Sequence, residues 1–132
     1  MGLFILAGLA AGLIIGFFFG RQAMKNIPQQ VPDAPGYIVV LGKNYEAKDM
    51  MPYVESLPPI YEKYEGNYAM MSTNVEQLEG KFDYQSILVS KWPSADKARE
   101  FWHSEEYTEA KKLRDGVGEF DIFLVEGFKM PS

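Results

Sequence analysis

His103 is the only histidine in this chain of 132 residues. An imidazole, with its ordinary pKa of about 6.5, suits general-base work or axial haem ligation near neutral pH. Tyr107 and Arg114 stand seven residues apart, a spacing that sets a phenol and a guanidinium on one face of a helix. With Glu79 or Glu126 they would line a small polar pocket. A plainer role competes with each: His103 as a polar residue at a helix kink, and Tyr107 with Arg114 as hydrogen bonds that hold the fold. No spacing of His, Asp and Glu forms a metal-binding constellation, and there is no GxSxG elbow for a Ser–His nucleophile. Gly42, Gly66, Gly80 and Gly116 fall at element ends, so no GxGxxG or phosphate-binding loop can be built from them. The chain thus shows no catalytic set, only the candidates His103, Tyr107 and Arg114, and it implies no metal and no cofactor.

Composition narrows the classes further. There is no cysteine, which excludes disulfides, thiolate zinc sites and cysteine nucleophiles. The net charge is −5 without a Lys/Arg cluster, so there is no electrostatic footprint for nucleic acid. All 13 basic and 18 acidic side chains lie beyond Gly20.

The elements that must position the candidates follow from punctuation and periodicity. "SADKAREFWHSEEYTEAKKLRDG" (94–116) is helical, with Ser94 as N-cap and Ala98, Phe101 and Trp102 as an apolar stripe. The stripe resumes at Tyr107, Ala110 and Leu113 after a step of five, and Ser104 precedes two glutamates like a second cap. A kink near His103–Ser104 is expected, with Gly116 ending the second piece. "DMMPYVESLPPIYEKYEG" (49–66) places Tyr53, Leu57, Ile60, Tyr61 and Tyr64 at helical spacing, with Gly66 as the stop. Pro58 and Pro59 imply a kink or a restart there. Strands are expected at "YIVVLG" (37–42), at "NYAMMSTNVEQLEG" (67–80) with an irregularity near Thr73–Asn74, at "YQSILVSKWP" (84–93) and at "EFDIFLVEGF" (119–128).

The order β-α-β-β-α-β is the split βαβ pattern of an α+β ferredoxin-like sandwich, an antiparallel four-stranded sheet with two helices on one face. "YIVVL" and "IFLV" are apolar at consecutive positions, so both faces of those strands call for burial. A second copy of the sheet is the simplest cover, giving a homodimer. The alternative is a pocket lined by Tyr, Met and Phe.

Upstream, Gly8, Gly12, Gly16 and Gly20 recur every fourth residue in a stretch free of charge from Met1 to Gly20. As a helix, Gly2–Gly20 spans roughly 28 Å, close to the ~30 Å hydrocarbon core of a bilayer. A cleaved signal peptide fits less well, because nothing basic precedes the apolar stretch and no small-residue cleavage site follows it. The glycines share one face and would let neighbouring membrane helices pack flush, whether a second copy or another protein. Arg21 and Lys25 flank the C-terminal end, which orients the following domain to the cytoplasm. The expected organisation is a transmembrane helix and juxtamembrane turn (1–27), a Pro-rich spacer (28–35) and a folded domain (36–132).

From Gly36 to Phe128 the chain resembles the DUF1330 family of the dimeric α/β-barrel superfamily. The likeness rests on "GYIVV" (36–40), "YEKYEGNY" (61–68), "LEG" (78–80), "WPS" (92–94), "SEEYTEAKKLR" (104–114) and "LVEGF" (124–128). The resemblance implies a ferredoxin-like fold that pairs through its sheets, and it implies no activity. Related superfamily members include cofactor-free monooxygenases and haem-binding enzymes, but no motif here matches their catalytic residues. "SKWP" replaces the acidic residue and Phe that the family more usually has before Pro, and the membrane helix and spacer are additions to the family pattern. Two functions fit. One is a non-catalytic single-span membrane protein, an accessory or assembly subunit of a larger complex, with lipid and transmembrane helices as partners. The other is a membrane-anchored small-molecule enzyme or ligand-binding protein of the cofactor-independent oxygenase type, with a closed cavity between sheet and helices.

Overall fold

The computed structural model describes residues 34–128. The expected membrane helix (1–27) with Gly8, Gly12, Gly16 and Gly20, the spacer up to residue 33, and residues 129–132 lie outside the described residues. Among the described residues no helix is long and apolar enough to cross a membrane.

Strand β1 (Gly36–Lys43) is followed by helix α1 (Ala47–Lys63), then β2 (Asn67–Ser72) and β3 (Ser86–Trp92). Next come α2 (Ala95–His103), α3 (Glu105–Lys111), a 3-10 turn (Lys112–Arg114) and β4 (Glu119–Glu126). The sheet runs β2-β3-β1-β4 with every neighbouring pair antiparallel. This is the expected βαββαβ order, with three helices because the second is broken in two.

The break has a single cause. Ser104 Oγ accepts from the Tyr107 N–H at 3.1 Å and donates to the Phe101 carbonyl at 2.7 Å, so one hydroxyl closes α2 and opens α3. Ser94 caps α2 in the usual way, accepting from the Lys97 N–H. In contrast, α1 runs unbroken through Pro58 and Pro59. Those prolines deprive the carbonyls of Val54 and Glu55 of their intrahelical donors, and all four residues are exposed, where solvent can reach those carbonyls. The residue that ends α1 in left-handed backbone is Glu65, at φ 64°, and not Gly66. Gly66 serves a different need: the ring of Trp92 lies where its Cβ would be. Strand β2 is shorter than expected. It stops where Ser72 Oγ accepts from the Asn74 N–H at 3.0 Å, and its register shift falls earlier, between Tyr68 and Met70.

Alternation along the strands divides the sheet into two unlike faces. Ile38, Ser90 and Trp92 point under the helices, where they meet Leu57, Phe101 and Tyr107. Trp92 is 1 % exposed and its indole N–H donates to the fully buried Ser90 Oγ at 2.9 Å. On the opposite face, register places Val39 between Val89 and Phe123, with Met70 beyond Val89, and Leu41 beside Ile87. No described element covers that side, and Phe123 and Val125 are 53 % and 45 % exposed. At one margin of the sheet Ala34 is buried and the Pro35 carbonyl accepts from the Gly127 N–H at 2.8 Å.

Candidate functional site

The interior between sheet and helices is filled by aromatic rings. Phe101 stacks against Trp92 and Tyr107 at centroid separations of 4.4 and 4.5 Å, and Tyr61 closes on Trp92 and Tyr68 at 4.9 and 4.8 Å. Such contacts add to the area each ring buries. These rings occupy the space between sheet and helices around Trp92, Phe101 and Tyr107.

Within this packing Tyr107 and Arg114 interact, although α3 ends at Lys111 and Arg114 belongs to the 3-10 turn that follows it. Tyr107 is 2 % exposed and its hydroxyl lies 2.8 Å from that of Tyr53 on α1. The Arg114 guanidinium sits over the rings of Tyr53 and Phe120 at 5.4 and 5.2 Å, in a cation–π arrangement. Burial opposes the charge of Arg114, and interaction with Tyr107 and then Tyr53 outweighs it, so its pKa is raised. Burial, then the neighbouring Tyr107, pushes the Tyr53 phenol well up, and burial does the same to Tyr61. Tyr53 and Tyr61 are therefore neutral hydroxyls at any ordinary pH and cannot act as bases. Glu79 and Glu126 are exposed, and among the described residues neither makes a hydrogen bond to Tyr107 or Arg114. The residue that sequence reasoning misses is Tyr53. Its phenol lies on the apolar stripe of α1, 54 positions from Tyr107, and only the fold brings the two together.

His103 is placed elsewhere. It ends α2, is exposed, and lines a groove of about 310 Å³ with Arg99, Trp102, Ile38, Ile122, Phe123 and Leu124. The groove separates α2 from the edge strand β4. Its floor is aliphatic, one wall is an indole, and its rim carries the Arg99 guanidinium and the His103 imidazole. Arg99 pairs with Asp96 at 2.6 Å across one helical turn, with both side chains largely in solvent, a weak interaction of about 0–1 kcal/mol. A wider and shallower depression of about 790 Å³ lies at the other end of the sheet, between Glu62 and Glu65 on one side and Lys91 on the other. It is open to solvent. Among the described residues no cluster of three His, Asp or Glu side chains is placed to hold a metal ion.

A four-stranded antiparallel sheet in this order, with helices on one face, defines the ferredoxin-like class of α+β sandwiches. The RPA0582 protein of unknown function from Rhodopseudomonas palustris shares the fold at TM-score 0.59 and 18% identity, over 83% of this chain and 91% of that one. A dimeric ferredoxin-like protein of unknown function from Thermobifida fusca matches at TM-score 0.51 and 10% identity, over 76% of this chain and 98% of its own. SnoaB, a cofactor-independent oxygenase from Streptomyces nogalater, matches at TM-score 0.51 and 8% identity, over 74% of this chain and 96% of its own. Identities this low establish the fold alone. No curated protein matches the sequence. The chain belongs to the DUF1330 family, a domain of unknown function whose model matches residues 35–128, as the motifs from "GYIVV" to "LVEGF" imply.

Proposed function

We propose that this protein is a non-catalytic, single-span membrane protein that works by association. Its domain pairs with a second copy through the bare face of the sheet. Its N-terminal segment, docking through Gly8, Gly12, Gly16 and Gly20 against other membrane helices, ties that pair into a larger complex as an accessory or assembly subunit, with the domain in the cytoplasm. The observation that carries the pairing is the row Met70, Val89, Val39 and Phe123 lying uncovered on the sheet. A Thermobifida protein of the same fold is described as dimeric. The membrane part rests on the charge-free stretch from Met1 to Gly20 and on the glycine spacing within it. Purification of the full chain in mild detergent, followed by mass measurement, tests both parts. The expected result is a species heavier than one chain, with co-purifying membrane proteins that Gly12→Leu with Gly16→Leu releases. Val39→Lys is expected to halve the assembly without releasing them. A lone, unaccompanied monomer would overturn the proposal.

A second reading is favoured by one observation, the groove beside Trp102 and His103. In it the chain is a membrane-anchored small-molecule binder or enzyme, in the manner of SnoaB, which is described as a cofactor-independent oxygenase. The ring-filled interior counts against a buried reaction chamber, so this reading depends on the groove alone. Replacement of His103 by Ala would abolish turnover if the imidazole acts there as a base, and would leave the oligomeric state unchanged.

A further inference from the structure

The groove between α2 and β4 joins apolar side chains to the Arg99 and His103 donors. Ile38, Ile122 and Leu124 supply the floor, and Trp102 presents its indole as one wall. The same indole is contacted by Tyr107 at 5.2 Å and by the Lys111 ammonium at 4.5 Å, which restrain its orientation. A volume of about 310 Å³ falls at the small end of ligand-sized sites, which are typically mostly apolar with a few placed polar groups. The rim supplies those groups. Arg99 is committed only to the exposed Asp96, and a guanidinium in such a loose pair can turn to a carboxylate that offers it two oxygens. His103 lies one position beyond Trp102 and can donate to the same anion. No carboxylate side chain lines the groove, so nothing within it competes for these donors.

The geometry points to a binding site for a small aromatic carboxylate, its ring against Trp102 and over Ile122 and Leu124, its carboxylate held by Arg99 with His103 beside it. This rests on the small-ligand reading for the place and adds the chemical class of the occupant. It needs no catalysis, and of the groove's lining residues only Phe123 also belongs to the row on the opposite face of the sheet.

The two tryptophans make the test direct. Trp92 is enclosed and bonded to Ser90, whereas Trp102 lines the groove, so the two indole N–H signals of the isotope-labelled full-length chain report separately, with Trp102→Phe assigning them. Benzoate and 1-naphthoate are the probes, and benzyl alcohol is the uncharged control. The expected result is a saturable shift of the Trp102 signal by both carboxylates while the Trp92 signal stays still. Arg99→Gln is expected to weaken benzoate at least tenfold and to leave benzyl alcohol unchanged. His103→Gln is expected to weaken benzoate by a smaller factor. A Trp102 signal that moves equally for benzoate and benzyl alcohol, or one indifferent to Arg99→Gln, overturns the aromatic-anion assignment and leaves a small-ligand site standing. No saturable shift with any of the three compounds overturns the assignment and the small-ligand reading together. Ile122→Trp, which fills the floor with a ring, must abolish the benzoate shift, and its survival in that variant also overturns the placement.

Discussion

The two faces of one sheet are made from alternate residues of the same strands, yet they solve opposite problems. Toward the helices the strands carry Trp92 beside Ser90 and Ile38, a large ring next to small residues. That face interlocks with Phe101, Tyr61 and Tyr107, and its hydroxyls have partners: Ser90 with Trp92, Tyr107 with Tyr53. Toward the other side they carry Val39, Val89, Ile87 and Leu41, with Asp121 beside Leu41 and Lys91 beside Tyr37. The first face is matched to its own helices. The second has no partner among the described residues. The difference teaches that the residues that hold the fold and those available for the proposed pairing are separate and can be broken separately.

The largest expected effect is on the closed face. Trp92→Ala removes the ring that contacts Gly66, Tyr61 and Phe101 and strands the Ser90 hydroxyl, at a cost of about 3–5 kcal/mol, read as a drop in the urea midpoint of unfolding. If the loss is small, the ring-filled interior is not what holds the domain.

Alkaline pH attacks the same face by charge. Tyr53 and Tyr61 have pKa values raised by burial. Each therefore contributes stability that is complete below pH ~10 and is lost as pH rises from there toward the folded-state value, because the unfolded chain releases its proton first. The slope is up to about 1.4 kcal/mol per pH unit for each phenol. Melting temperatures between pH 9 and 11.5 are expected to fall steeply, and Tyr53→Phe and Tyr61→Phe are each expected to flatten the fall. A drop that neither variant flattens would place the sensitivity elsewhere.

Ser104→Ala removes the bond from the Tyr107 N–H and the bond to the Phe101 carbonyl, at about 1–2 kcal/mol. Thr at the same position is expected to restore most of it in a thermal melt. The smallest effect belongs to the open face. Phe123→Ser is expected to change the stability of the dilute domain by less than about 1 kcal/mol while removing any dependence of its melting temperature on protein concentration. A large loss of stability in dilute solution would erase the contrast between the faces.

Much of this arrangement is legible in the sequence, and the limits of that legibility are physical. The strands follow from β-branched runs, and the helix break at Ser104 follows from a five-residue step plus a capping residue, because caps and periodicity are local. Gly66 is correctly marked as special for the wrong reason. The left-handed backbone belongs to Glu65, and Gly66 is required by Trp92, a ring 26 positions away that no local rule can see. Pro58 and Pro59 suggest a kink or a restart; the helix is continuous through them, and both lie on its exposed side. For the candidate site, Tyr107 and Arg114 are neighbours, but across the join of α3 and the 3-10 turn and not along one helix. Their partner Tyr53 and the separation of His103 into a different groove depend on how α1 and α2 lie on the sheet, which spacing within one helix does not encode.

The hydroxyl of Ser104 links the two candidate regions mechanically. On one side of it the chain presents Trp102 and His103 to the groove, and on the other it presents Tyr107 to Tyr53, with the Trp102 and Tyr107 rings themselves only 5.2 Å apart. Neither helix can tilt without dragging on the same oxygen. One serine hydroxyl thus joins the end of the groove helix to the start of the helix that carries the buried phenol.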